Sequence, residues 1–303
     1  MIASAANADQ PLVATVVAPE GSKLLDLQRV ARLREALPQA EVSVLSPGRA
    51  VDFYLAGGTP PARTAILETL AGEPVDVIVQ PAAARRKKLF LADMDSTMIG
   101  QECIDELADA VGLKAHVSAI TERAMRGEIA FEPALRERVA LLKGLPTDVV
   151  ERMIAERITF TPGGKALVRT MRKAGAYTAL VSGGFTVFTG PISAAIGFDM
   201  HRSNTLIIES GQFAGLVADP ILGREAKRET LIELREARGL SATETLAVGD
   251  GANDLAMLGE AGLGVAFKAK PIVADAAHAR IDHTDLRTLL YAQGYRDEEI
   301  VEA

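Results

Sequence analysis

Between Leu12 and Val79 the apolar positions come in short clusters whose spacing switches between that of strands and that of helices. Leu12 to Val17 is a β-branched run that reads as a strand, and Leu25, Val30, Leu33 and Leu37 recur at helical spacing up to Pro38. Two strand-like runs follow, Glu41 to Leu45 and Ala50 to Ala56, parted by the turn residues Ser46-Pro47-Gly48. Pro60 and Pro61 open a helix that runs through Leu70 and stops at Gly72, with proline inside the start and glycine past the end. Val75 to Val79 closes the set as a strand. The order β-α-β-β-α-β is that of a ferredoxin-like sandwich. Pro81 to Lys88 reads as the linker that follows, and its run Arg85-Arg86-Lys87-Lys88 as a solvated stretch.

From Leu89 onward the pattern changes. Strand-like runs at Leu89 to Asp93, Ala176 to Ser182, Thr245 to Gly249 and Leu263 to Phe267 alternate with helical segments, which predicts a parallel sheet with helices on both faces. Between Gln101 and about Phe160 only amphipathic helical sequence is found, rich in Glu, Arg, Leu and Ala. An insert of that kind forms a helical lobe over the sheet's carboxyl edge, where doubly wound folds bind their ligands. The expected fold is therefore α/β, a Rossmann-like doubly wound parallel sheet with a helical cap at about 101–160, preceded by a ferredoxin-like α+β domain. The expected domains are 1–84 and 85–303.

Composition narrows the function classes. A length of 303 residues suits two domains or one large one, and 48% hydrophobic with 24% charged residues excludes disorder over most of the chain. With 33 basic against 40 acidic residues the net charge is −7, a poor balance for nucleic-acid binding. One cysteine, Cys103, excludes an intrachain disulfide and a multi-cysteine zinc site, and a small buried apolar role suits it. The N-terminal stretch has no basic start followed by an apolar core, as a signal peptide would. No apolar run approaches the ~20 residues that cross a bilayer. The expectation is a cytoplasmic protein without a membrane or nucleic-acid partner. His116, His201, His278 and His283 lack metal-ligand spacing and read as surface or structural residues.

Four stretches carry candidate chemistry. An apolar strand runs into Asp93-Met94-Asp95-Ser96-Thr97, and alternate residues of an extended chain point the same way, so both carboxylates can face one pocket. Close carboxylates call for a cation or a shared proton, although an Asx turn with a helix cap would use the same residues. A second strand ends in Ser182-Gly183-Gly184, read as a turn that offers a hydroxyl and backbone N–H groups to an anion, or as a bare tight turn. Lys227 lies in a helical stretch and alone would be a solvated lysine. A third strand delivers Asp250 into a glycine-flanked turn followed by Asn253 and Asp254. Together these are the parts of Mg²⁺-assisted phosphoryl transfer.

In that order and on those elements, the four stretches resemble the four motifs of the haloacid dehalogenase superfamily of phosphatases. The segment from Asp93 through Glu102 to Glu106, and the segment from Phe131 through Arg138 to Leu142, look like those of phosphoserine phosphatases. The resemblance covers about residues 88–290. It implies Asp93 as the nucleophile that takes the phosphoryl group, and Asp95 as the acid and base. It further implies Mg²⁺ held by Asp93, Asp250 and the backbone carbonyl of Asp95. Ser182, Gly183 and Lys227 would hold the phosphoryl oxygens and Asn253 would contact the phosphate or its water, with Asp254 orienting Lys227 or a metal-bound water. Glu102 would meet the ammonium and Arg138 the carboxylate of O-phospho-L-serine, with Phe131 packed over the ligand; singly, each is an ordinary helix charge or core ring. The N-terminal domain looks like an ACT-type regulatory module, with serine binding, homodimerisation and simple packing all open to it. The implied activity is Mg²⁺-dependent hydrolysis of O-phospho-L-serine, the last step of serine synthesis. Transfer to another alcohol such as homoserine, and a non-catalytic amino-acid sensor, are the rivals.

Overall fold

The computed structural model describes residues 10–56, 62–125 and 128–302. Its amino-terminal part contains β1 (Leu12–Val17), α1 (Leu27–Ala36), β2 (Glu41–Ser46), β3 (Ala50–Leu55), α2 (Ala62–Thr69) and β4 (Asp76–Pro81). Asp26 caps α1, its carboxylate accepting from Arg29 N at 2.8 Å. The four strands form an antiparallel sheet in the order β2-β3-β1-β4, the ferredoxin-like arrangement. One face, with Ala14, Val16, Phe53 and Val77, packs on Leu33 of α1 and Ile66 of α2. Pro60 and Pro61, expected to open α2, lie outside the described residues.

The rest of the chain runs through β5 (Leu89–Ala92), α3 (Cys103–Asp109), α4 (Lys114–Met125), α5 (Phe131–Ala140), α6 (Val149–Glu156), α7 (Gly164–Lys173), β6 (Tyr177–Phe185) and α8 (Thr186–Ile196). It continues with β7 (Met200–Asn204), β8 (Leu206–Glu209), β9 (Gln212–Val217), α9 (Arg224–Ala237), β10 (Thr245–Gly249) and α10 (Leu255–Glu260). The last elements are β11 (Leu263–Phe267), α11 (Pro271–Ala274), β12 (Ala279–Ile281) and α12 (Thr288–Ala292). Six strands pair in parallel in the order β12-β11-β10-β5-β6-β7. The sheet's two central strands, β10 and β5, are buried along their whole length, because helices cover both faces. Helices α3 to α6 fill the interval expected to be a helical lobe.

The hairpin β8–β9 was not expected. It forms one more wall of the cap: Gly144 N donates to Phe213 O at 2.8 Å, Phe213 N to Leu145 O at 3.0 Å and Thr147 N to Gly211 O at 3.0 Å. Phe213 and Val217 share the apolar cluster of Leu135 and Val139 on α5. The turn residues Ser210 and Gly211 have φ of 49° and 77°, the pair of positive values that a two-residue hairpin turn requires.

The linker reading of Pro81 to Lys88 needs correcting. Pro81 ends β4, and Arg85 and Lys87 are only 9% and 7% exposed. Arg85 reaches back to Asp52 of β3 and across to the carbonyls of Tyr291 and Ala292 on α12. Lys87 donates to Thr243 O at 2.7 Å. The second face of the amino-terminal sheet is thereby closed by the chain's own α12: Val17 and Ala50 pack on Tyr291, and Gln80 donates to Ala292 O at 2.7 Å. Asp76 accepts from the backbone N–H groups of Asp282, His283 and Thr284, which joins β4 to the exit of β12. These bonds account for that carboxylate fully, with no cation needed.

Candidate active site

At the carboxyl end of β5 the chain stops being a strand after Ala92. Asp93 and Asp95 keep extended backbone angles (φ −69°, ψ 160° and φ −65°, ψ 138°), and Met94 between them is fully buried. That alternation brings both carboxylates to one cavity. Ser96 then turns the chain with φ 54°, an uncommon conformation for a residue with a side chain. Its hydroxyl donates to Glu102 Oε1 at 2.6 Å, so the turn is tied to the first cap helix, α3. Thr97, also buried, donates to Asp250 Oδ1 at 3.0 Å and ties the same turn to the end of β10.

Lys227, on the first turn of α9, is 2% exposed and not a solvated side chain. Its ammonium lies 2.7 Å from Asp93 Oδ1 and 2.7 Å from Asp254 Oδ1. Burial alone would lower its pKa, but the charges of Asp254 and Asp93 outweigh that and hold it above the usual lysine range. Asp254 Oδ2 accepts from Gly251 N at 3.0 Å, so both of its oxygens are engaged in orienting Lys227 and the turn. A side chain at Gly249 would overlap the Asp254 carboxyl, and one at Gly251 the Asn253 amide oxygen, which is why glycines flank Asp250.

Ser182, Gly183 and Gly184 form part of β6, which continues to Phe185, and not a turn after it; α8 starts at Thr186. The Ser182 hydroxyl accepts from Gly184 N at 2.9 Å. The Gly183 carbonyl is held by the Asn204 amide at 2.8 Å. The ring of Phe131, from the start of α5, approaches Gly183 so closely that an added Cβ would lie 3.3 Å from it.

These elements enclose a cavity of ≈ 340 Å³ between sheet edge and cap. Asp93, Asp95, Ser182, Gly183, Asp250 and Asn253 line its floor, and Glu102, Phe131 and Arg138 line it from the cap. Lys227 and Asp254 stand directly behind Asp93. Thr121, Leu135 and Arg224 also line it and had not been expected; nothing in a single sequence marks a helical threonine or a first-turn arginine as facing a site.

The electrostatics are those of crowded acid groups. Burial, and next the charge of Asp93, raise Asp95 to about 7. The same causes raise Asp250 to about 8 and Asp254 to about 6. Burial and the neighbouring Asp95 raise Glu102 to about 8. Such a cluster takes up protons or a cation. One oxygen from each of Asp93, Asp250 and Asp254 lies within 4.8 Å of the others, a donor set of hard oxygens that suits Mg²⁺ rather than a thiophilic metal. Since both oxygens of Asp254 are engaged, Asp93 and Asp250 are the side chains left to hold an ion.

A central parallel strand that delivers two aspartates to a capped cavity, with a buried lysine behind the first and a third acid on the adjacent strand, defines an acid-centred hydrolase of the doubly wound class. The haloacid dehalogenase-like hydrolase model matches residues 90–259, and the chain belongs to that family. It is 42% identical over 253 residues to a probable phosphoserine phosphatase of Schizosaccharomyces pombe, covering 82% of this chain and 85% of that protein. To a phosphoserine phosphatase of Streptomyces coelicolor it is 42% identical over 257 residues, 84% of this chain but 62% of that protein, so the chain spans less than two thirds of that relative. A solved phospho-aspartyl intermediate analogue of phosphoserine phosphatase superposes with a TM-score of 0.64 at 42% identity, covering 68% of this chain and 98% of that one. Among the described residues no helix is long and apolar enough to cross a membrane.

Proposed function

We propose that this chain hydrolyses O-phospho-L-serine to L-serine and phosphate through an aspartyl-phosphate on Asp93, as the final step of L-serine synthesis in the cytoplasm. The observation that carries the reading is the single cavity that joins Asp93 and Asp95 on its floor to Glu102 and Arg138 in its roof. A phosphomonoester that also bears an ammonium and a carboxylate matches those groups end to end.

The Asp93 carboxylate attacks phosphorus, oriented by Lys227 Nζ and Met94 N, each 2.7 Å from its Oδ1. As the bond from phosphorus to the serine oxygen breaks, Asp95 gives that oxygen its proton, a task suited to a carboxyl with a pKa of about 7. Asp95 then takes a proton from the water that attacks the phosphoryl group, releasing phosphate and restoring Asp93. Lys227 offsets negative charge beside the nucleophile, while Ser182, Gly183 and Asn253 meet the phosphoryl oxygens. Asp93 and Asp250, with the Asp95 carbonyl, would hold Mg²⁺, which would supply positive charge to the phosphoryl group. The closed packing of the amino-terminal sheet on α12 supports a fixed structural role for that domain.

The test is phosphate release from O-phospho-L-serine with Mg²⁺, beside O-phospho-L-threonine, p-nitrophenyl phosphate, an EDTA control and added homoserine. Strong EDTA-sensitive preference for phosphoserine, lost in Asp93→Asn, is expected. Turnover of the nitrophenyl ester alone refutes the substrate, homoserine phosphate as product moves the reading to a transferase, and an active Asp93→Asn refutes the nucleophile.

A further inference from the structure

Arg138 is 6% exposed, and among the described residues no carboxylate forms a salt bridge with it. Two neutral oxygens hold it. Its Nε donates to Ala134 O at 3.0 Å within α5, and Nη1 donates to Thr121 Oγ1 on α4 at 2.9 Å. The Thr121 hydroxyl has one proton, and it is spent on Val117 O at 3.1 Å. Toward Arg138 the hydroxyl can therefore only accept, and its direction is set by the helix that carries it. Thr121 is itself 9% exposed and lines the cavity.

We infer that Thr121 is a positioning residue for substrate choice: by fixing the Arg138 guanidinium it makes the cavity select phosphomonoesters that carry a carboxylate. With Nε and one N–H of Nη1 engaged, three of the five guanidinium N–H groups remain, all on the terminal nitrogens. A carboxylate is taken at that terminal end, and the side of the fork that includes Nε is closed to it. Without Thr121 the guanidinium keeps only its tether to its own helix, and the terminal nitrogens are free to swing away from the ligand. The inference rests on the phosphoserine reading, and its test separates the two.

The experiment measures kcat and KM of the Mg²⁺-loaded full chain on O-phospho-L-serine and on O-phosphoethanolamine, which has the ammonium but no carboxylate. Thr121→Val is expected to lose about tenfold in kcat/KM on phosphoserine, mostly through KM, with phosphoethanolamine turnover unchanged. Thr121→Ser keeps the acceptor and is expected to restore the parent values. Thr121→Ala, which places no methyl against the guanidinium, serves as the second variant should Thr121→Val fold poorly, and is expected to show the same selective loss. An unchanged preference in Thr121→Val or Thr121→Ala, or an equal loss on both substrates, overturns the positioning role. A parent enzyme that does not prefer phosphoserine refutes the substrate reading itself, before any variant is compared.

Discussion

Arg85→Ala tests the largest departure from a surface linker. Asp52 is fully buried, with Arg85 Nη1 donating to its Oδ2 at 2.8 Å, Nη2 to its Oδ1 at 3.1 Å and the Thr15 hydroxyl to Oδ1 at 2.7 Å. Removing the guanidinium leaves Asp52 with one hydrogen bond and no counter-charge. It also removes one donor each from the carbonyls of Tyr291 and Ala292, which keep Gly294 N and Gln80 Nε2. Breaking a buried pair from one side costs about 3–5 kcal/mol. With an unfolding entropy of about 2.1 cal/mol/K per residue, a chain of this length that melts as one unit should lose roughly 5–8 °C. Calorimetry of the parent and Arg85→Ala reads this directly. Because Arg85 lies outside the catalytic cavity, kcat/KM well below the melting temperature should be unchanged. Arg85→Met combined with Asp52→Leu, which removes both charges, should recover most of the loss. A melting temperature within about 1 °C of the parent in Arg85→Ala would refute the reasoning, since it would mean that Asp52 never depended on its partner.

Three further predictions follow from the cavity. Glu102 has a folded pKa of about 8 against an ordinary 4.5, so the folded state holds an extra proton between those values, and its stability is lost as pH rises through the window. The melting temperature of EDTA-treated protein should therefore fall from pH 5 to 8.5, and Glu102→Gln should flatten that fall by up to ~1.4 kcal/mol per pH unit; an unaltered slope contradicts the assignment. Ser96→Gly accommodates the φ of 54° but removes the hydroxyl donated to Glu102, and should raise KM about tenfold for phosphoserine and phosphoethanolamine alike, with no change for p-nitrophenyl phosphate. Gly249→Ala puts a methyl into the Asp254 carboxyl, so both stability and turnover should drop; near-parent values on both would show that Asp254 can move without loss.

How far the sequence reaches differs between backbone and charge. Repeating apolar periods made β1 through β4 and the strands β5, β6, β10 and β11 legible, since a buried strand must be apolar whatever surrounds it. Strands β7 and β12 carry His201, Arg202 and Arg280 at the sheet edges, where polar residues meet solvent and the strand signal fades. The hairpin β8–β9 did carry its signal, with Ser210-Gly211 between two apolar runs. It interrupts the expected βα alternation, which masks that signal.

The burial of charged residues is the feature least legible in local pattern, and for a common reason. Arg85, Lys87, Arg138 and Lys227 are all at most 9% exposed, although each stands in a segment that periodicity makes a solvated face or linker. A buried cation is decided by a partner far away in sequence: Asp52 for Arg85, the Thr243 carbonyl for Lys87, Asp93 and Asp254 for Lys227. No local pattern records those pairings. Neither Lys87 nor Arg138 forms a salt bridge among the described residues, and of the two it is Arg138 that faces the cavity. Its hydrogen bonds go to neutral oxygens, and the charges of Asp105 and Glu102 offset only part of the cost of its burial. The guanidinium N–H groups that remain are best met by the anion of a ligand, which makes Arg138 a structural argument for what the cavity selects.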